Sequence, residues 1–200
     1  LKVISFQSMS LTQVMPHLSV LGAEVIDERP YSWDLRGTRV LVYDFGLKLP
    51  PDTDAASWDA EGRQRFMDVF VASWTGKFEA GNLNRLVVSA GLDWRQVSWL
   101  RGISRYLLQA GVPFSQTYIA TALNAHPRIA AGLVAAFETR FSPDLPGAGE
   151  TREEALEVLY RWLAEQLDAV ASLDHDRILR AFLAVIRAGV RTNAFTGKQM

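Results

Sequence analysis

Apolar and polar positions alternate with a period of two only near the start of the chain. Three segments there have the pattern of strands: residues 2–6, 23–29 and 38–45. Between the first two, apolar residues recur at helical spacing from Leu11 to Leu21, and Ser10 and Gln13 have the spacing of a capping box. The order of elements is therefore predicted to begin β-α-β-β.

Prolines and glycines divide these first elements. Gly22 follows the helical stripe as a C′ residue, and Pro16 inside the stripe is expected to kink the helix because it crowds the Thr12 carbonyl. Pro30 and Gly37 fall between the second and third strand-like segments. We therefore predict a loop that contains both of them.

The period becomes helical after a proline-containing loop near residue 50. The first helical stripe there runs from Phe66 to Trp74. With this helix the first stretch has the order β-α-β-β-α, which is most of a ferredoxin-like βαββαβ unit. No convincing final strand follows, so either the unit is truncated or the helical stretch replaces that strand.

Caps and prolines divide the remaining chain into closely spaced helices. Asp93 with Gln96 and Thr151 with Glu154 form two more capping boxes. Pro127 suits a first helical position, and Asp174 is predicted to cap the last helix. The most loop-like segment is residues 142–150. Short connections favour a compact bundle. We therefore predict an α+β fold in two parts: an α+β unit at 1–80 and a mostly α-helical bundle at 81–200.

Composition limits the chemistry that this chain can perform. It has 200 residues, a formal net charge of -1 and no cysteine. The balanced charge lacks the basic excess of a polyanion-binding domain, so we expect no nucleic-acid partner. The lack of cysteine excludes disulfides, thiolate nucleophiles and cysteine-ligated metals.

The sequence shows no pattern typical of a membrane-spanning segment or a signal peptide. No uncharged apolar run is long enough to span a bilayer, so we expect no membrane association. The chain begins at Leu1, without an initiator methionine or a basic-then-apolar signal segment. We therefore expect an internal piece of a larger, cytoplasmic protein.

Motifs for phosphate binding and nucleophilic catalysis are incomplete. Gly147 and Gly149 begin like a dinucleotide fingerprint, but Arg152 occupies the third glycine position and no strand precedes it. Ser89 lacks the preceding glycine of a nucleophile elbow. Two Gly-Lys pairs lack the other residues of a P-loop: residues 76–77 and 197–198. We predict linker or turn roles for these glycines.

Imidazole and carboxylate side chains form no catalytic group by their spacing. His17, His126 and His175 lie far apart with no partner at metal-ligand spacing, so each is predicted to be structural. The adjacent carboxylates at 27–28 lie on a strand and point to opposite faces, which excludes an acid–base pair. Arg29 beside them is predicted to form an ion pair.

One predicted helix combines arginines with tryptophans: Arg95, Arg101, Arg105, Trp94 and Trp99. Two cations one turn apart fall short of a stripe that tracks phosphates, so we predict a solvated or domain-docking face. The chain has 6 tryptophans, which core and interface anchoring explain better than a cofactor site.

Several residue strings follow one another in an order that is typical of one family. They are residues 21–31 (LGAEVIDERPY), 43–46 (YDFG), 84–86 (NRL), 91–95 (GLDWR), 100–101, 106–107, 109–111, 113–116 with Tyr118, 167–180 (LDAVASLDHDRILR) and 191–193. Together they cover nearly the whole chain. Their succession resembles the large, multidomain class of bacterial NAD-specific glutamate dehydrogenase.

The resemblance implies a position just before the dehydrogenase domain, with the last ACT-like unit of the regulatory region followed by a helical linker. The family's glutamate site, with its catalytic lysine, and its Rossmann NAD site come downstream. We therefore assign no catalytic, cofactor-binding or metal-binding residue to this chain. Ala194 departs from the family, which commonly has an aromatic residue there, at the junction with the catalytic domain.

The same resemblance implies NAD as the cofactor of the whole enzyme and no cofactor in this piece. It also implies two partners, the downstream catalytic domain of the same chain and further copies in a homo-oligomer. The whole enzyme would convert L-glutamate, water and NAD to 2-oxoglutarate, ammonium and NADH. This piece alone is predicted to be an inactive regulatory or structural region.

Two alternatives remain for a stand-alone module. The first is an amino-acid effector site in the first strand–helix loop, where the hydroxyls of Ser8 and Ser10 and the helix N-terminal amides could hold a carboxylate. The second is an oligomerisation module, whose surfaces would be the aromatic-rich helices at 58–74 and 94–108.

Overall fold

The computed structural model describes residues 1–50, 53, 58–144 and 150–196. The strands are β1 (Lys2–Ser5), β2 (Glu24–Leu35) and β3 (Thr38–Lys48). The helices are α1 (Leu11–Ser19), α2 (Ala60–Trp74), α3 (Leu86–Ser89), α4 (Trp94–Gln109), α5 (Gln116–Ala125), α6 (Pro127–Phe141), α7 (Glu150–Asp168) and α8 (Leu173–Ala188). A 3₁₀ turn at Asn82–Arg85 leads into α3. The predicted order β-α-β-β-α, followed by helices, is confirmed.

The three strands form an antiparallel sheet in the order β1-β3-β2. β2 continues through Pro30 to Leu35, and Arg36 and Gly37 form the turn to β3 with positive φ angles of 52° and 80°. The predicted loop containing Pro30 is therefore wrong, and only Gly37 lies in the turn. β2 is an edge strand, where proline is tolerated because its missing N–H can face away from the ladder.

The register of the sheet separates a buried face from an exposed one. Tyr43 and Phe45 of β3 are buried and belong to the same apolar cluster as Val14 and Leu18 of α1. Ile4 of β1 lies on the opposite face and is 69% exposed. The helices therefore cover one side of the sheet.

Local capping signals set most of the helix starts. Two of the three predicted capping boxes, which begin at Ser10 and Asp93, are confirmed. The third is wrong, because α7 already begins at Glu150 and Thr151 lies inside it. The start of α8 differs, because Ser172 rather than Asp174 is the N-cap and its hydroxyl accepts a hydrogen bond from the His175 N–H. Asp174 lies in the first turn instead, where a negative charge complements the helix dipole.

A cluster of buried apolar side chains extends from Val14 in α1 to Ile186 in α8. The predicted fold class, an α+β unit followed by a mostly α-helical part, is confirmed, and the described residues show no fourth strand. The boundary between 1–80 and 81–200 stays a prediction, because the two parts share this core. In the described part of the chain, no helix is long and apolar enough to cross a membrane.

Candidate functional site

The loop between β1 and α1 contains the predicted effector residues Ser8 and Ser10. The Ser10 hydroxyl accepts from the Gln13 N–H at 3.3 Å, and the Gln13 side-chain oxygen accepts from the Ser10 N–H at 3.0 Å. The Met9 N–H donates to the Tyr43 hydroxyl at 3.0 Å. The fold therefore uses most of the polar groups of this loop as a capped turn.

Ser8 and Ser10 are both exposed, but the described contacts engage only the hydroxyl of Ser10. The first-turn N–H groups of α1 that the cap does not reach also lack helical partners. Effector binding through Ser8 and Ser10 stays a prediction. Of the two residues, only Ser8 keeps its hydroxyl free for a ligand.

His17 is a structural residue between α1 and α2. Its Nδ1 atom lies 2.6 Å from the Ser73 hydroxyl, and its ring makes edge contacts with Phe70 and Trp74. Burial lowers the pKa of His17 below its ordinary value. These contacts hold the two helices of the α+β unit together.

His126 and His175 lie together although they are 49 residues apart in sequence. His126 Nε2 is 3.2 Å from His175 Nδ1, and the Tyr118 ring contacts the His175 ring at 5.7 Å between centroids. The sequence spacing of the histidines does not indicate this contact, which forms because the α5–α6 corner packs against the start of α8. Burial lowers the pKa of His126, and the charge of His175 lowers it further.

The described residues contain no group of three or more His, Cys, Asp or Glu side chains placed to hold a metal ion. The histidine pair is therefore a helix–helix contact. It joins the C-terminal end of α5 to the first turn of α8.

A row of alternating charges lies on the exposed face of the sheet. Arg29 donates to Asp27 at 2.8 Å, which confirms the predicted ion pair, and Lys2 donates to Asp44 at 2.5 Å. The Lys2 hydrogen bond lowers the pKa of the Asp44 carboxyl. The sheet register aligns Lys2, Asp44 and Arg29 across the three strands, so the row crosses the sheet.

Arg101 on α4 is buried, with 6% of its surface exposed. Its guanidinium donates to the Glu79 main-chain oxygen at 2.9 Å and to the Asn84 side-chain oxygen at 2.6 Å, and it lies over the Phe78 ring. Burial lowers the pKa of Arg101. A solvated face is therefore wrong for Arg101, because its side chain is buried against Phe78 and Glu79 at the end of the predicted 1–80 unit and against Asn84.

The neighbours of Arg101 on α4 differ in exposure. Arg105 is exposed and forms an ion pair with the Glu79 carboxylate, and Arg95 lies over the Trp94 ring. Trp99 is buried against Phe137, as the predicted core role requires. Sequence reasoning missed the burial of Arg101, and the signal for it was present: residue 101 is four positions after the buried Val97, on the core-facing stripe.

The incomplete nucleophile-elbow and P-loop motifs have structural roles at the residues that the structure describes. Ser89 donates back to the Arg85 carbonyl within a helical turn, and Gly76 ends α2 with a φ of 71°. The glycines at 147 and 149 and the Gly-Lys pair at 197–198 lie outside the described residues.

The fold defines a class of protein: a β-α-β-β-α unit of the ACT-like kind that continues directly into a helical region. Three family models match consecutive parts of the chain. They are the ACT3 domain of glutamate dehydrogenase at residues 1–60, its helical motif 3 at 78–143, and the catalytic domain of bacterial NAD-glutamate dehydrogenase at 162–200. The last match includes α8 and the end of α7.

Individual relatives are similar to nearly the whole chain. The chain is 40% identical over 194 residues to an NAD-specific glutamate dehydrogenase of Mycobacterium tuberculosis, covering 95% of this chain and 12% of the relative. Identity is 37% over 186 residues for the enzyme of that name from Halomonas elongata (92% and 11%) and 38% over 191 residues for that from Pseudomonas aeruginosa (94% and 12%). The chain therefore matches a segment of these large NAD-specific glutamate dehydrogenases and spans about 12% of their length.

Proposed function

We propose that this chain is a structural and regulatory segment of an enzyme that oxidatively deaminates L-glutamate with NAD, and that it supplies no catalytic residue. The similarity to named dehydrogenases over most of the chain supports the parent activity. The observation that supports the non-catalytic role is that the candidate catalytic side chains form contacts within the fold. His17, His126, His175 and Ser89 all bond to neighbouring groups of the fold.

A relay role is supported by the way the elements pack. α2 contacts α4, α4 contacts α8, and the core is shared by the sheet-containing part and the last helix. Trp99 of α4 touches Phe137 of α6 and Phe195 beyond α8. A displacement of the N-terminal unit would therefore have to move the helices that precede the catalytic part, since a close-packed interior transmits strain.

An assay of NADH formation separates the parent activity from the role of this segment. The purified 200-residue chain is expected to show a helical circular-dichroism spectrum and no glutamate-dependent reduction of NAD. Glutamate-dependent turnover by the folded chain would refute the non-catalytic role. A longer protein from the same reading frame is expected to reduce NAD with glutamate, and failure of that protein while folded would refute the proposed parent activity.

The homo-oligomer is proposed to use the exposed face of the sheet, with a second copy of this chain as the occupant. Ile4, Trp33 and Leu35 are 69%, 58% and 65% exposed there, and the Tyr31 and Trp33 rings stack on this face. Contiguous apolar surface of this kind marks interaction sites. The charge row beside it alternates in sign, so a second copy turned through a twofold axis can pair it with its own opposite charges.

The aromatic-rich helices at 58–74 and 94–108, which the sequence suggested as oligomerisation surfaces, are less suitable than the sheet face. Trp58 packs on Phe66, and Trp99 is buried. Light scattering on the chain and on Trp33→Glu tests the sheet face, with Tyr106→Glu on α4 as a control at a similarly exposed aromatic residue. We expect Trp33→Glu alone to shift the chain to monomer. A wild-type chain that is monomeric at high concentration would refute the proposal.

A further inference from the structure

A small cavity lies beside Arg101, between α4, α5 and the 3₁₀ turn. Its volume is about 200 Å³, and its lining includes Arg101, Glu79, Gln116, Thr117 and the turn at 81–83. Ordinary ligand pockets measure roughly 300–1,000 Å³, so this cavity has room only for a small occupant.

The guanidinium of Arg101 is bonded only to neutral acceptors. Its two hydrogen bonds go to a main-chain carbonyl of Glu79 and the side-chain amide of Asn84. A guanidinium has five N–H donors, so most of its hydrogen-bonding capacity is not used by these two bonds. Burying a charge without a direct hydrogen bond to an opposite charge is costly, which makes Arg101 an unusual residue for a helix interior.

The charges around the cavity do not cancel. The carboxylate of Glu79, which also lines the cavity, forms an ion pair with Arg105 and attracts Arg101 without a hydrogen bond to it, so two arginines share one acidic group. The cluster therefore has a net positive charge, and its buried member lines the cavity. An anion inside the cavity would complete the pairing of Arg101.

We propose that this cavity binds a small carboxylate anion, with the Arg101 guanidinium as its charge partner. Gln116 and Thr117 add an amide and a hydroxyl to the lining, and both are exposed toward solvent, which leaves a path of entry. They are the first two residues of α5, where backbone N–H groups have no helical acceptor and favour a negative ligand. The cavity lies within 78–143, the part of the chain that matches the helical motif rather than the catalytic domain.

Two substitutions on α5 test the site. Thr117→Glu places a carboxylate at the lining, where it repels an incoming anion and can itself pair with Arg101. Thr121→Glu is the matched control, because Thr121 is also an exposed threonine on α5 but lies one turn further along, outside this lining. Both changes should leave the helix intact, since glutamate is a good helix former.

Isothermal titration with acetate, succinate, glutamate and inorganic phosphate, at constant ionic strength with chloride as the balancing anion, gives the readout. We expect saturable binding of at least one carboxylate by the wild-type chain and by Thr121→Glu, and at least about tenfold weaker binding by Thr117→Glu because a like charge lies next to the ligand. No saturable heat from any carboxylate up to about 10 mM, a range that detects millimolar affinity, would overturn the proposal. Equal binding by the two variants, or tighter binding of phosphate than of every carboxylate, would also overturn it.

Discussion

Gly132 of α6 lies directly against α7, so a substitution there tests how closely the two helices pack. A Cβ atom added at Gly132 would lie 2.4 Å from Trp162 Cζ3 and 2.9 Å from Leu163 Cδ2. Leu163 is fully buried, so it has no free volume into which to move. We expect Gly132→Ala to destabilise the chain, although the same change favours the helical backbone.

The magnitude follows from two opposing effects. Replacing glycine by alanine inside a helix stabilises it by about 1 kcal/mol. Forcing an extra carbon into a packed contact costs roughly 1–3 kcal/mol, and here two contacts fall below the separation that real Cβ atoms show. Because two contacts are affected, we take the upper part of that range, about 2–3 kcal/mol. The net expectation is then a loss of about 1–2 kcal/mol in the free energy of unfolding, or roughly 2–8 °C in Tm for a chain of this size.

Gly102 in α4 is the matched control. It is a helical glycine with no atom within 4 Å of the position a Cβ would take, and it is exposed. Gly102→Ala is therefore expected to stabilise the chain by about 0.5–1 kcal/mol through helix propensity alone.

Urea unfolding followed by circular dichroism measures both variants against the wild-type chain. The same chemical change should give opposite signs at Gly132 and Gly102. A Gly132→Ala variant as stable as Gly102→Ala would show that α6 and α7 do not pack as closely as described. That result would refute the reasoning from the Trp162 contact.

Three further changes test other parts of the fold. Ser10→Ala removes the cap of α1 and should cost about 1 kcal/mol of unfolding free energy in urea titrations, with Ser8→Ala, which caps nothing, leaving it unchanged. The pKa of His126 in the folded chain lies below its ordinary value of 6.5. Below pH 6.5 the unfolded chain therefore binds more protons than the folded chain does. The contribution of His126 to stability should be constant above about pH 7 and fall as the pH drops from there through the folded-state pKa. Thermal melts of His126→Asn should show a shallower fall, and an unchanged profile would contradict the role of this pair. Arg140→Met removes two hydrogen bonds to the Gly189 carbonyl at the end of α8 and should cost about 1 kcal/mol, measured by the same melts at neutral pH.

The features that could be predicted from sequence are those fixed by neighbouring residues. The capping boxes at Ser10 and Asp93 depend on a spacing of three residues, so a reading of the chain finds them. Pro30 was misplaced because a proline in a strand is tolerated only at an edge, and the order of strands is a property of the whole sheet. The contact of His126 with His175 joins residues 49 apart, which no local pattern encodes.

The candidate site shows the same division between local and distant information. Arg101 falls on the apolar stripe of α4, and that local signal places it inside. Its partners, the Glu79 carbonyl and Asn84, come from the chain before α4 and are separated from it by 22 and 17 residues. Sequence spacing therefore indicates the burial of Arg101 but not the cavity that surrounds its guanidinium.

The packing of α8 limits how this segment can act on the part that follows. Ile178, Leu179 and Phe182 are completely buried, and α8 contacts α4, α5 and α6. Burial of each such side chain contributes about 1.5–3 kcal/mol, so detaching α8 would cost roughly 5–9 kcal/mol, comparable to the whole stability of a domain. Residues 162–200 match a catalytic-domain model, yet α8 is held in the core of the helical region. Under the proposed relay role, a signal would therefore have to travel as a joint movement of packed helices, because detaching α8 would unfold the segment that carries it.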